Sequence, residues 1–252
     1  MSRVCIIIPA RYNSQRLPGK PLADIVGQPM IIRVYRQAQA ALPTAEIVAA
    51  VDDVRVLQVL QQNGALAAMT GKEHESGTDR CAEIARGQAY NDDDIIINVQ
   101  GDEPLVPIHM IQEFARFCTD MLDFQMATIA VPVRSIAEIH DPNVVKVTRD
   151  IDGRAISFSR APIPYARDVN VVDWPLESYL HHVGVYAYRN STLQKLAASP
   201  PCDLERIEKL EQLRALWLGV PIDVMDWPEA PPKGVDTADD LQRVVAILTD
   251  IA

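Results

Sequence analysis

The sequence predicts an α/β fold, a mainly parallel sheet covered by helices on both faces, with a small β-rich insertion in the middle of the chain. Two observations carry that prediction. Aliphatic runs alternate with helix-period segments through the first half, and a βαβα order implies parallel strands joined by crossover helices. Between about residues 125 and 165 the pattern changes to short β-rich runs divided by turn residues, which reads as antiparallel strands added to the main sheet.

Val4–Ile8 is an unbroken apolar run ended by Pro9 and reads as a buried first strand. A helix follows near Met30–Ala41, then a second strand over Glu46–Val51. Val54–Gln62 reads as a helix stopped by Asn63-Gly64. Gly77–Arg86 is a helix, Asp94–Val99 another buried strand, and Ile108–Met121 a helix. The β-rich middle comprises Gln125–Val133, Val144–Arg149 and Ala155–Ser159, with turns at Asp141-Pro142 and Asp152-Gly153. After a loop rich in proline (Pro162, Pro164, Pro175), His182–Tyr188 reads as a strand and Leu204–Leu218 as one long helix. Thr237–Asp250 closes the chain as a helix capped by Thr237, with Asp240 at the capping-box position. With no repeat, low-complexity tract or linker, residues 1–252 read as one domain carrying an insertion.

Composition narrows the function. A formal net charge of -10 argues against nucleic acid or an anionic membrane as the main partner. No apolar stretch approaches a membrane span, and the run at Val4–Ile8 is too short for a signal peptide. Cys5, Cys81, Cys118 and Cys202 are scattered with no C-x-x-C. That pattern suits a reducing cytoplasm rather than a disulfide framework or zinc site.

Against that acidic background, Arg11, Arg16 and Lys20 fall within one loop, and no acid precedes Asp24. The loop follows the first strand, so it lies at the carboxyl edge of the sheet, where α/β folds bind ligands. Gly19-Lys20 is followed by Pro21, with no glycine five residues before Gly19, so this is not a Walker loop. No G-x-G-x-x-G occurs either. Side-chain charge therefore replaces backbone dipoles: Arg16 can grip two phosphate oxygens and Lys20 acts as a point charge. A triphosphate fits such a loop.

Acids supply the complement. Gln100-Gly101-Asp102 follows the strand Asp94–Val99, and Gly234-Val-Asp236 precedes the last helix. Two carboxylates beside a basic loop suit Mg²⁺ bridging phosphate oxygens. In His74–Arg80, Ser76 or Thr78 can cap a helix, whereas Arg80 is a cation in a first turn, which the dipole disfavours and a nearby anion would explain. Alternation along Tyr179–Tyr188 puts His182, Gly184, Tyr186 and Tyr188 on one face, suited to hydroxyl and carboxylate binding or simply to a half-exposed sheet. Glu211 falls inside the apolar arc of Leu204, Ile207, Ala215 and Leu218. Either Arg214 pairs with it or it binds substrate hydroxyls.

These motifs together resemble the 3-deoxy-manno-octulosonate cytidylyltransferases. The resemblance runs over nearly the whole chain, through Ile8–Tyr12, Arg16–Leu22, Gly27–Met30, Ser76–Arg80, Asn98–Pro104, Phe158–Ala161, His182–Tyr186, Leu210–Arg214 and Gly234–Thr237. It implies a Rossmann-like nucleotidyltransferase fold, a homodimer, CTP, Mg²⁺ and the sugar acid 3-deoxy-D-manno-octulosonate (Kdo), whose anomeric hydroxyl attacks the α-phosphorus of CTP. By motif, Arg11, Arg16 and Lys20 would hold the nucleotide, with cytosine selected by backbone groups near Ala10-Arg11 and the Ser76 loop. Asp102 and Asp236 would ligate the metal. Arg80, Gln100, His182, Tyr186, Glu211 and Gln212 would bind the sugar acid, with Arg160 beside them. The β-rich middle would supply much of the dimer contact. Val51, where relatives usually carry Thr before the acid, and His181, where many carry Arg, depart from the pattern.

Overall fold

The computed structural model describes residues 2–14, 16–74, 76–121 and 123–251. β1 (Val4–Ala10) leads through the basic loop and the two-residue strands β2 (Asp24–Ile25) and β3 (Gln28–Pro29) into α1 (Met30–Ala41). β4 (Glu46–Val51), α2 (Val54–Gln62), β5 (Ala67–Met69), α3 (Gly77–Gly87), β6 (Ile95–Asn98) and α4 (Ile108–Asp120) complete the expected alternation. Asp53 caps α2 through Arg55 N, and Ser76 caps α3 through Asp79 N. Beyond α4 come β7 (Met126–Pro132), α5 (Ile136–His140), β8 (Lys146–Arg149) and β9 (Ala155–Ser159). The chain ends with β10 (Leu180–Arg189), α6 (Asn190–Ala197), α7 (Asp203–Glu208), α8 (Gln212–Trp217), β11 (Ile222–Asp226) and α9 (Ala238–Ile251).

The main sheet has the order β11-β7-β10-β6-β1-β4-β5. β6, β1, β4 and β5 pair in parallel, as do β11 and β7; β10 joins the two blocks by pairing antiparallel to both β6 and β7. Alternation along β1 sends Ile6 and Ile8 to a core shared with α1, α2 and α4. Cys5 and Ile7 point to the opposite core, against α3, α6 and α8. Both faces are therefore covered, as an aliphatic parallel sheet requires.

Two expectations need correction. The run Gln125–Val133 was grouped with the β-rich insertion, yet β7 lies inside the main sheet between β11 and β10. The added strands reduce to the hairpin of β8 and β9, attached where β8 pairs with the start of β10. Secondly, Leu204–Leu218 is two short helices rather than one. Lys209 adopts a left-handed φ of 55° between α7 and α8, and Leu204 and Ile207 are exposed, so no common apolar stripe exists. The break has an identifiable cause. Arg160 Nε donates to the carbonyl of Glu208 (2.7 Å) and Nη2 to that of Lys209 (3.4 Å), so carbonyls at the break are held by a side chain.

The final helix begins as expected. Asp240 N donates to Thr237 Oγ1 and Thr237 N to Asp240 Oδ2, a reciprocal cap. Val244 of α9 packs with Ile25, Met30 and Val235, tying the loop of Asp236 to the segment that follows Lys20.

Candidate active site

Three loops converge at the carboxyl edge of β1 and β6. Gly19, at φ 70°, turns the basic loop so that Lys20 begins a short 3-10 turn. Gly101 N donates to Pro9 O, and a Cβ at Gly101 would lie 2.8 Å from that same oxygen. Val235 N donates to Asp102 O, and a Cβ at Gly234 would meet that carbonyl at 2.8 Å. Backbone close approach thus brings Asp102 and Asp236 together.

Lys20 Nζ sits between them, 2.6 Å from Asp102 Oδ2 and 3.2 Å from Asp236 Oδ1, and Arg16 Nη2 reaches Asp236 Oδ1 at 3.0 Å. Burial lowers the Lys20 pKa, but the two carboxylates outweigh it and hold the ammonium above its ordinary value. Glu103, which the sequence reading left without a role, lies next in the chain. Burial, and then Asp102 and Asp236, push its pKa up to about 8. Among the described residues no group of three or more His, Cys, Asp or Glu is arranged to hold a metal. Asp102 and Asp236 offer hard oxygen donors bridged by one cation, which fits a divalent ion that takes its other ligands from phosphate and water.

The cleft above these residues has a volume of about 420 Å³ and is lined by Arg11, Arg16, Lys20, Arg80, Gln100, Asp102, Glu211 and Asp236. Ser76 does not line it; its buried hydroxyl is the α3 cap. Gln100 Nε2 donates to Asn98 Oδ1 (3.2 Å). Arg80 is fully buried, and the anion its position called for is within the chain: Nη2 pairs with Asp52 Oδ2 at 3.1 Å, while Nη1 donates to Thr70 Oγ1 and Gly71 O. Among the described residues its Nε has no partner.

Glu211 opens to solvent in the cleft and also borders a small adjoining cavity with Thr78, Tyr186 and Gln212. The wheel that placed it in an apolar arc assumed an unbroken helix. Instead Glu211 accepts from Thr78 Oγ1 (2.8 Å), while Arg214 pairs with Glu205. The protein packed around its carboxylate raises its pKa, and the Thr78 bond pulls the other way. Gln212 is buried, its Nε2 without a partner among the described residues, and burial raises the Tyr186 phenol well above its ordinary value. Arg160 does not reach the cleft, because its donors are spent on the carbonyls of Pro142, Glu208 and Lys209.

His182 is held between Phe158 and Tyr186, with ring centroids at 5.0 and 5.3 Å. Its Nε2 lies 3.0 Å from Thr128 Oγ1, whose own proton faces the carbonyls of Val183 and Val185. That arrangement is best satisfied with the proton on Nε2, which leaves Nδ1 as an acceptor. Burial, and then His181, lower the His182 pKa to about 3. In the unfolded chain it titrates near about 6.5. Its stability contribution is therefore complete above that pH and is lost as pH falls toward 3. The His182 ring signals in a ¹H–¹⁵N NMR titration are expected to stay constant from about pH 5 to 9. A mid-range titration would remove the neutral assignment.

Asp52 and Thr128 were missed. Asp52 carries the kind of signal that picked out Asp102, an acid in the loop after a predicted strand. Thr128 sits in an apolar run and had no such signal.

A basic loop after the first strand, facing two carboxylates from separate loops on a mainly parallel sheet, defines a nucleotidyltransferase. Residues 5–222 match the family model described as cytidylyltransferase. The curated 3-deoxy-manno-octulosonate cytidylyltransferase 2 of Paraburkholderia phytofirmans is 53% identical, over 96% of this chain and 93% of its own length. The corresponding enzyme of Pseudomonas fluorescens is 46% identical over 98% of both. The chain belongs to the 3-deoxy-manno-octulosonate cytidylyltransferase (CMP-Kdo synthetase) family. A CMP:2-keto-3-deoxy-manno-octonic acid synthetase solved in complex with CTP superposes with a TM-score of 0.92 at 41% identity, covering 100% of both chains. A putative glucose-1-phosphate thymidylyltransferase from Bacillus anthracis, 17% identical with a TM-score of 0.64 over 99% of this chain and 96% of its own, shares the fold.

Proposed function

We infer that the cleft transfers CMP from CTP to the anomeric hydroxyl of Kdo, giving CMP-Kdo and pyrophosphate for lipopolysaccharide biosynthesis. The observation that carries this is Lys20 held between Asp102 and Asp236, with Arg16 alongside, in a chain whose curated relatives bear that enzyme's name. The sugar oxygen forms a bond to the α-phosphorus while the bond from that phosphorus to the oxygen bridging the β-phosphate breaks; negative charge leaves with the pyrophosphate, and the hydroxyl proton is released to water. Arg11, Arg16 and Lys20 bind that charge. Asp102 and Asp236 would hold Mg²⁺, which when bound neutralises phosphate charge and lowers the pKa of the attacking hydroxyl.

On the acceptor side, Glu211, Gln212, Tyr186, Gln100 and the Nδ1 of His182 bind sugar hydroxyls. Arg80, buried at the wall of the cleft, supplies the positive charge that the sugar carboxylate needs. Ser76 contributes by fixing the start of α3 beside the nucleotide. Glu211→Gln keeps the shape but weakens hydroxyl acceptance, so the KM for Kdo is expected to rise about tenfold with that for CTP unchanged. Steady-state kinetics in both substrates check it, and an unchanged Kdo KM would withdraw the role.

A homodimer is part of the proposal. Ile151, Ile156, Tyr165 and Val172 are exposed on and after the β8–β9 hairpin, a concentration of apolar surface suited to a second copy. Sedimentation velocity checks it, with a monomer at micromolar concentration as the contrary result. Cytoplasmic location is supported by four unpaired cysteines; among the described residues no helix is long and apolar enough to cross a membrane.

The deciding experiment is pyrophosphate release with CTP, Mg²⁺ and Kdo, with ATP, GTP and UTP as controls. Release that needs both CTP and Kdo is expected. Release only with an 8-amino analogue would reassign the acceptor, and none at all from folded protein would leave a nucleotide binder.

A further inference from the structure

The acid that closes β4 touches both halves of the cleft. Asp52 is buried, and its two oxygens serve different loops. Oδ1 accepts from Tyr12 N at 2.8 Å, and Oδ2 accepts from Arg80 Nη2 at 3.1 Å. Tyr12 directly follows Arg11 and begins the phosphate loop. At the loop's other end a Cβ on Gly19 would lie 3.2 Å from the Tyr12 hydroxyl, so the same side chain packs beside the turn that presents Lys20. The guanidinium of Arg55 covers the Tyr12 ring at 3.7 Å and is itself held by both oxygens of Asp53. On the acceptor side, Arg80 is locked by Asp52, Thr70 Oγ1 and Gly71 O, and Thr70 Oγ1 also reaches Val51 O. Among the described residues, these contacts leave Nε as the one Arg80 nitrogen without a partner.

We propose that Asp52 is a positioning residue that sets the nucleotide loop through Tyr12 and the acceptor side through Arg80 at the same time. The proposal rests on the CTP and Kdo reading of the cleft. A single buried carboxylate is suited to this because it can accept from two donors at once. An amide cannot: Asp52→Asn leaves a single neutral acceptor oxygen, for which Tyr12 N–H and Arg80 Nη2 compete, so both bonds weaken. The buried charge of Arg80 also loses its paired acid.

The test separates a positioning role from a merely structural one. In Asp52→Asn, the calorimetric Kd for CTP without acceptor and the KM for Kdo at saturating CTP are both expected to rise about tenfold. Thr70→Val removes an acceptor from Arg80 but leaves the Asp52–Tyr12 bond. It is expected to raise the Kdo KM alone, with the CTP Kd unchanged. Wild-type values of either constant in folded Asp52→Asn protein overturn the proposal, and so does a Thr70→Val variant in which both constants move or neither does. If Asp52→Asn fails to fold, Thr70→Val decides alone by the same split. Wild-type protein is assayed alongside: an inactive wild type defeats the reading of the cleft, whereas an active one with indifferent variants defeats only the role of Asp52.

Discussion

Asp102→Asn is expected to cut turnover by about 10³-fold, about 4 kcal/mol of transition-state stabilisation, while leaving the fold in place. The expectation follows from what Asp102 touches. Its carboxylate accepts from Lys20 Nζ at 2.6 Å and is one of two acids at the phosphate loop. An asparagine keeps the size and one acceptor oxygen but removes the charge that balances Lys20 and that a divalent cation needs. Stability should change little, because the Asp102 side chain is about one-third exposed, at 32%, so solvent screens its pairing with Lys20. Pyrophosphate release checks the first half and thermal unfolding the second. Activity near wild type would refute the metal role. A large fall in unfolding temperature would instead make Asp102 a structural acid.

Arg214→Met is expected to destabilise the fold by about 3–5 kcal/mol. Arg214 donates to both oxygens of Glu205, at 2.8 and 2.5 Å, and also to the carbonyls of Leu196 and Ser199. Both side chains are nearly buried, at 7% and 9% exposure. Removing the cation leaves Glu205 charged and desolvated between α7 and α8, which accounts for most of the cost. The double variant Glu205→Leu with Arg214→Met leaves no uncompensated charge and should recover much of the loss. Urea unfolding of the single and double variants checks both statements. Equal losses in the two would show that packing, rather than the stranded charge, dominates.

The strands that carry the basic loop and Asp102 were legible because their signals are local. Val4–Ile8 and Ile95–Ile97 are uninterrupted apolar runs, and the helix Val54–Gln62 is bounded by Asp53 and Asn63. The cleft residues could be placed because ligand loops follow strand ends, a rule that needs no knowledge of pairing. What was not legible depends on distant contacts. The break at Lys209 needs Arg160, which reaches across from β9's end. The position of β7 inside the main sheet depends on β10 and β11, both far later in the chain. Likewise Arg80 advertises an anion by sitting in a helix's first turn, but only folding shows that Asp52 answers it.

The carboxylates of Asp102 and Asp236 are placed by what their neighbours lack. At Gly101 and Gly234 even one methyl group would run into backbone oxygen, of Pro9 in one case and of Asp102 in the other. At Gly87 and Gly184 nothing lies within 4 Å of that position. A saturation library scored for growth-independent activity should therefore show two silent-looking glycines that accept alanine, and two that refuse every replacement although neither carries a functional group. The map of intolerance around this cleft will extend past the residues that touch substrate, to the points where two turns of chain need to lie against each other.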